Sequence, residues 1–72
     1  MLYLLRTPAT QRQIEEMLQD HGVAIKVVVD LSREVLAGGG KFHGDGEELL
    51  RKNGSQPEDL WGATWYLDGQ VR

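Results

Sequence analysis

The chain alternates short apolar runs with amphipathic ones. LYLLR, Leu2 to Arg6, is apolar and stops at Thr7-Pro8, because the residue before a proline is pushed out of the helical region. It predicts a short buried strand. In TPATQRQIEEMLQDHG, Ile14, Met17, Leu18 and His21 recur at i, i+3, i+4 and i+7, with Gln11, Glu15, Glu16 and Gln19 around that stripe. This predicts a helix, begun either at Thr7 with Pro8 in its first turn or at Thr10 with Gln13 as a capping box. Gly22 supplies the left-handed residue that ends it, and His21 in the last turn is favoured by the helix dipole.

From Val23 to Leu31 the side chains alternate: Ile25, Val27, Val29 and Leu31 on one side, Ala24, Lys26, Val28 and Asp30 on the other. The pattern predicts a strand with one fully buried face. SRE is a tight connection, and EVLAGGG resumes β character before the glycines end it, so a hairpin follows. DGEELLRKNG carries Asp45 as cap with Glu48 three residues on, Leu49 and Leu50 as the buried side, and Gly54 as terminator. Ser55 to Glu58 repeats that grammar for one more turn. In LWGATWYL, Trp61, Ala63, Trp65 and Leu67 share a face, with Gly62, Thr64 and Tyr66 on the other. Asp68-Gly69 signals a hairpin turn, with only Gln70, Val71 and Arg72 after it.

The resulting order, β-α-β-β-α-β with a truncated fifth strand, predicts an α+β fold. The first choice is a two-layer sandwich of the split βαβ, or ferredoxin-like, kind. That choice makes the first and third strands parallel, central neighbours. The alternative is a meander of strands two, three and four with both helices on one face. Residues 1–72 make one small domain, and the unfinished hairpin leaves its C-terminal end to be completed by further residues or by another chain.

Composition narrows the function classes. At this length a chain buries only ~60% of the surface its unfolded form exposes, so small domains lean on disulfides, metals or partner subunits. The sequence has no cysteine, which removes disulfides, thiol catalysis and every cysteine-containing zinc pattern. Eleven acidic against eight basic residues leave a net charge of −3, which offers no global field to gather nucleic acid or an anionic membrane. No apolar run approaches the ~20 residues of a membrane span. MLYLLRTP lacks the basic start and cleavage site of a signal peptide, so a cytoplasmic protein is expected.

From KVVVDLSREVLAGGGKFHGDGEELL through NGSQPEDLWGATWY the sequence resembles an uncharacterised bacterial family known only as a domain of unknown function. Asp30, Gly38, Gly39, Gly40, His43, Asp45, Glu48, Gly54, Ser55, Asp59, Trp61 and Gly62 carry the likeness, with a triple glycine followed by H-x-D. The resemblance implies members of roughly a hundred residues, an ordinary domain size, continuing into another strand and a helix. It implies no activity.

The glycine loop, Gly38, Gly39 and Gly40, invites a phosphate-binding reading, since glycines ahead of a helix let backbone N–H groups approach an anion. Neither GxGxxG nor GK[ST] is present, and Asp45, Glu47 and Glu48 already neutralise the helix start. A divalent cation suits His43, Asp45 and Glu47 better, given a further ligand from elsewhere. Asp30 pairs near Val35 and so lies at the far end of the hairpin from Gly40. With parallel first and third strands, Arg6 and Thr7 come beside the glycines, giving a candidate cleft of Arg6, His43, Asp45, Asp59 and Trp61. Ser32 and Ser55 have no nucleophile-elbow pattern around them. The balance favours a non-enzymatic interaction domain with no resident cofactor, assembling as a homo-oligomer or with a protein partner through a strand edge. A divalent-metal enzyme or sensor is the alternative.

Overall fold

The computed structural model describes residues 1–71. Their elements run β1 Tyr3–Leu5, α1 Gln11–Met17, β2 Ala24–Asp30, β3 Val35–Gly38, α2 His43–Lys52 and β4 Leu60–Tyr66. Single 3₁₀ turns at Leu18–Asp20 and Pro57–Asp59 prolong α1 and lead into β4. Of the two candidate starts, α1 uses Thr10: its Oγ1 accepts the Gln13 N–H at 3.1 Å, and Gln13 Oε1 accepts the Thr10 N–H at 2.9 Å. Gly22, at φ +74°, turns the chain out of the 3₁₀ turn toward β2.

The sheet runs β1-β3-β2-β4, and each neighbouring pair is antiparallel. This α+β fold is compatible with the ferredoxin-like arrangement in its element order and in the place of β3 between β1 and β2. Two details differ from expectation. β1 and β3 are neighbours but antiparallel, with Tyr3 opposite Gly38 and Leu5 opposite Leu36. β1 is also an edge strand, and β4 lies beyond β2, with Ala24 opposite Tyr66 and Asp30 opposite Leu60. The connections explain the orientation. A helical crossover sets β1 parallel to β2, the tight hairpin sets β3 antiparallel to β2, and a strand inserted between them must oppose both. The meander is also excluded, because β2 separates β3 from β4.

Asp30 stands opposite Val35, as the hairpin spacing predicts. Its Oδ1 accepts the Arg33 N–H at 3.0 Å and so shapes the turn. Arg33 then reaches across to the Asn53 carbonyl and to Ser55 Oγ, joining the β2–β3 turn to the end of α2. The side chain of Asp30 is wholly buried, and Oδ2 has no well-formed hydrogen bond. The Ser55 hydroxyl is the leading influence holding the carboxyl below its ordinary range, helped by the Arg33 and Ser32 N–H groups and opposed by burial.

Register assigns each side chain to a face. On one face Val28, Val35, Ala37 and Leu50 form a buried cluster, with Leu2, Leu4, Leu49 and Leu60 packed around it. α2 covers this closed face. It approaches closely through Gly46, where an added Cβ would lie 3.0 Å from Val28 Cγ2 and 3.3 Å from the Ala37 methyl. α1 lies over the opposite face, at one end, where Met17 rests against Gly38 and Ile25.

Beyond β4 the Asp68-Gly69 turn forms as expected. Tyr66 N–H donates to the Gln70 carbonyl at 2.8 Å, and Val71 makes a single antiparallel bridge to Trp65. No helix among the described residues is long and apolar enough to cross a membrane.

Candidate functional site

The glycine loop is filled by the protein's own carboxylates. Gly39 N–H donates to the Lys26 carbonyl at 2.9 Å. Gly40 N–H donates to Asp20 Oδ2 at 3.0 Å, and the N–H groups of Lys41 and Phe42 both donate to Asp45 Oδ2 at 3.1 Å. These amides are the ones an incoming phosphate would use. Asp45 is not the helix cap that the sequence suggests. α2 begins at His43 with Phe42 in the cap position, and Asp45, in the first turn, reaches back to the amides ahead of it.

Each glycine of the run answers a packing need. A Cβ on Gly38 would lie 2.8 Å from the Met17 sulfur. On Gly39, at φ +101°, it would strike the Met1 carbonyl, and on Gly40, at φ +77°, it would press on the Asp45 carboxylate at 3.1 Å. Asp20 completes the joint, because its Oδ2 also accepts from the Met1 ammonium at 2.8 Å. That ammonium is the main cause of a lowered Asp20 pKa.

The two histidines are likewise tied to backbone. His43 Nε2–H donates to the Ala63 carbonyl at 2.7 Å, and the ring lies over Gly62, where a Cβ would stand 3.4 Å from Cδ2. His21 Nε2–H donates to the Lys41 carbonyl at 2.8 Å. Among the described residues no group of three or more His, Asp or Glu side chains is placed to hold a metal ion, the run His43, Asp45 and Glu47 included.

The residues of the expected cleft lie apart. Because β1 runs antiparallel to β3, Tyr3 rather than Arg6 stands beside the glycines, and Arg6 follows Leu5 toward the Val35 end of the sheet. Asp59 precedes Leu60, which pairs with Asp30 at that same end. His43 and Asp45 belong to α2 on the closed face, whereas Trp61 pairs with Val29 on the other face. The expected position of Arg6 and Thr7 rested on the parallel pairing and reverses with it.

A small hollow beside α2 is lined by Leu2, Gly40, Asp45, Glu48, Leu49 and Lys52, and a larger concave feature lies on the face opposite α2. Leu5, Ile14, Met17, Ile25, Val27, Val29, Leu36, Ala63 and Trp65 line an open groove of about 590 Å³ beside α1. Cross-strand rows build its floor, Leu5, Leu36 and Val29 in one and Gly38, Val27 and Ala63 in the next, while Trp61 and Tyr3 continue those rows on the same face outside the groove. α1 and the loop through Pro8 and Ala9 wall one side, with Trp65 and Val71 on the other. Only the end under Met17 is closed. Val27, Val29, Leu36 and Trp65 are half-buried, and Trp61 is 65% exposed. Sequence reasoning did not single out this groove. Its signal is present, since two all-apolar faces, Ile25/Val27/Val29 and Trp61/Ala63/Trp65, fall side by side with one seven-residue helix to cover them.

A family model described as Protein of unknown function (DUF5674) matches residues 3–71. The chain belongs to the DUF5674 family. No curated protein and no solved structure shows a significant match. Membership of DUF5674 agrees with the resemblance to a family known only as a domain of unknown function, and it brings no reaction or ligand with it.

Proposed function

We propose that this chain is a small interaction and assembly domain whose partner, a second copy or another protein, covers the groove-bearing face of the sheet. The exposure of that face carries the reading. A row of Leu, Val and Trp side chains left in contact with water is what an interface core requires, and a continuous apolar patch on a small domain marks a contact surface. The face offers more than the strand edges do. β1 is three residues long, and the outer edge of β4 already pairs Trp65 with Val71.

The acidic balance argues against nucleic acid and anionic lipid as partners. An enzymatic role has little to work with, because both imidazoles are tied to carbonyl oxygens and Asp45 is tied to two amides.

Binding of an apolar fluorescent dye such as anilinonaphthalene sulfonate to dilute protein tests this. The expected result is enhanced dye emission with the wild type, strongly reduced in Leu36→Glu and in Trp61→Ser, while far-ultraviolet dichroism stays unchanged. Trp61→Ser changes an exposed residue and keeps the test sound if Leu36→Glu misfolds. Emission that is absent, or indifferent to both substitutions, overturns the proposal.

A further inference from the structure

Resting on the interaction-domain reading, we infer that the partner is a second copy of this chain, packed groove face to groove face about a two-fold axis, with Arg6 of each copy meeting Glu34 of the other. Three observations support the choice.

The first is charge. Arg6 and Glu34 both line the groove, at the end where Leu5 stands opposite Leu36. Both are exposed, and neither side chain makes a hydrogen bond or ion pair among the described residues. One cation and one anion lining the same groove, neither of them spent on a partner, make a rim that complements itself. In an isologous contact, residue i meets j and j meets i, so one pair of opposite charges yields two cross-copy ion pairs. A partner of single-sign charge would leave one of the two facing its like.

The second is size. A standard interface takes roughly 800 Å² from each partner, about a sixth of this chain's 4699 Å² of accessible surface. The domain measures 29 × 20 × 18 Å, so a contact of that area takes one broad face and no more. The groove face is a broad face, with the closed face behind it already occupied by α2.

The third is the aromatic placement. Trp61 and Trp65 both project on the groove side, opposite Val29 and Ile25. Tryptophan is the side chain most often found at the energetic centre of interfaces. Leu31, in the turn just beyond β2, is a further exposed apolar side chain at 63%.

Sedimentation velocity over a range of concentrations tests the inference, using wild type, Arg6→Glu, Glu34→Arg, the double reversal and an equimolar mixture of the two single variants. The wild type should self-associate to a dimer. Each single reversal should weaken that dimer about tenfold, since it replaces two attractive contacts by two repulsive ones. The double reversal should restore it, and the mixture should form a heterodimer tighter than either variant alone. Added salt should diminish all of these differences. Both positions are exposed, so the variants should keep the wild-type dichroism and melting profile.

A wild type that stays monomeric at every concentration overturns the second-copy inference. If the dye still distinguishes Leu36→Glu from wild type, the interaction-domain reading stands with a different protein as partner. Dimerisation that ignores both reversals, or a mixture no tighter than its components, also overturns the inference by placing the contact elsewhere.

Discussion

The two faces of one four-stranded sheet have met opposite fates. The face that carries Lys26 and Asp30 is the closed one: Val28, Asp30, Ala37 and Leu50 lose essentially all contact with water beneath α2. The face of Ile25, Val27 and Val29, more apolar residue by residue, is sealed only where Met17 covers Ile25. Hydrophobicity alone therefore does not decide which side of a strand is buried. The covering element does. α2 spans ten residues and comes close through Gly46, whereas α1 spans seven and is preceded by the open loop through Pro8 and Ala9. An apolar face with a short cover costs about 25 cal/mol per Å² left wet, a cost that covering by a partner would remove.

The contrast is tested first by paired truncations. Leu50→Ala empties a fully buried site on the closed face and should cost about 3 kcal/mol. That corresponds to a fall in melting temperature of roughly 10 °C or more for a domain of this size. Leu36→Ala, half-exposed on the groove floor, should cost about 1 kcal/mol in dilute solution, where no partner is present. Equal losses would mean that the two faces are equally packed.

A smaller effect separates two glycines of the same helix. Gly46→Ala presses a methyl onto Val28 and Ala37 and should lower stability by about 1 kcal/mol net of the helix propensity gained. Gly44 has nothing within 4 Å of an added Cβ. Gly44→Ala should therefore stabilise by up to about 0.5–1 kcal/mol. Thermal melts of both variants check the pair, and a loss at Gly44 would contradict the distance between α2 and its surroundings.

The mildest change is a slope. Asp20 and Asp30 both titrate below the usual carboxylate range in the folded chain. A lowered folded-state pKa adds stability that is fully present above the unfolded-state value and is lost as pH falls through the folded one. The melting temperature should hold level through neutral pH and decline below about pH 4. In Asp30→Asn that decline should be shallower, as a pH series of melts would show. An unchanged slope would separate Asp30 from the acid response.

Several of these features are legible in the sequence. The cap at Thr10, the hairpin that sets Asp30 opposite Val35, the turn at Asp68-Gly69 and the shared face of Trp61, Ala63 and Trp65 are all fixed by residues near one another in the chain. The tight connection between β2 and β3 leaves one register. That carboxylates hold the amides ahead of α2 is partly legible too, from the acidic opening of the helix, although the carboxylate on Gly40 comes from Asp20 twenty positions upstream. Such a partner depends on where α1 ends in space.

Strand direction was within reach of topology alone. A crossover followed by a hairpin forces β1 to oppose β3, and the cleft of Arg6, His43, Asp45, Asp59 and Trp61 depended on the opposite choice. Which face α1 would cover was not legible. The alternation in Val23 to Leu31 marks an apolar side, but burial depends on the length and placement of a helix whose stripe says only that it packs on something.

Both tryptophans stand on the groove side, so their emission reports on the face at issue. The most direct measurement is acrylamide quenching of tryptophan fluorescence as the protein concentration is raised. The quenching constant should fall and the emission maximum should move to the blue, with neither change in Leu36→Glu. Quenching that stays the same from dilute to concentrated protein would show the face still open to water and would contradict its covering by a second copy.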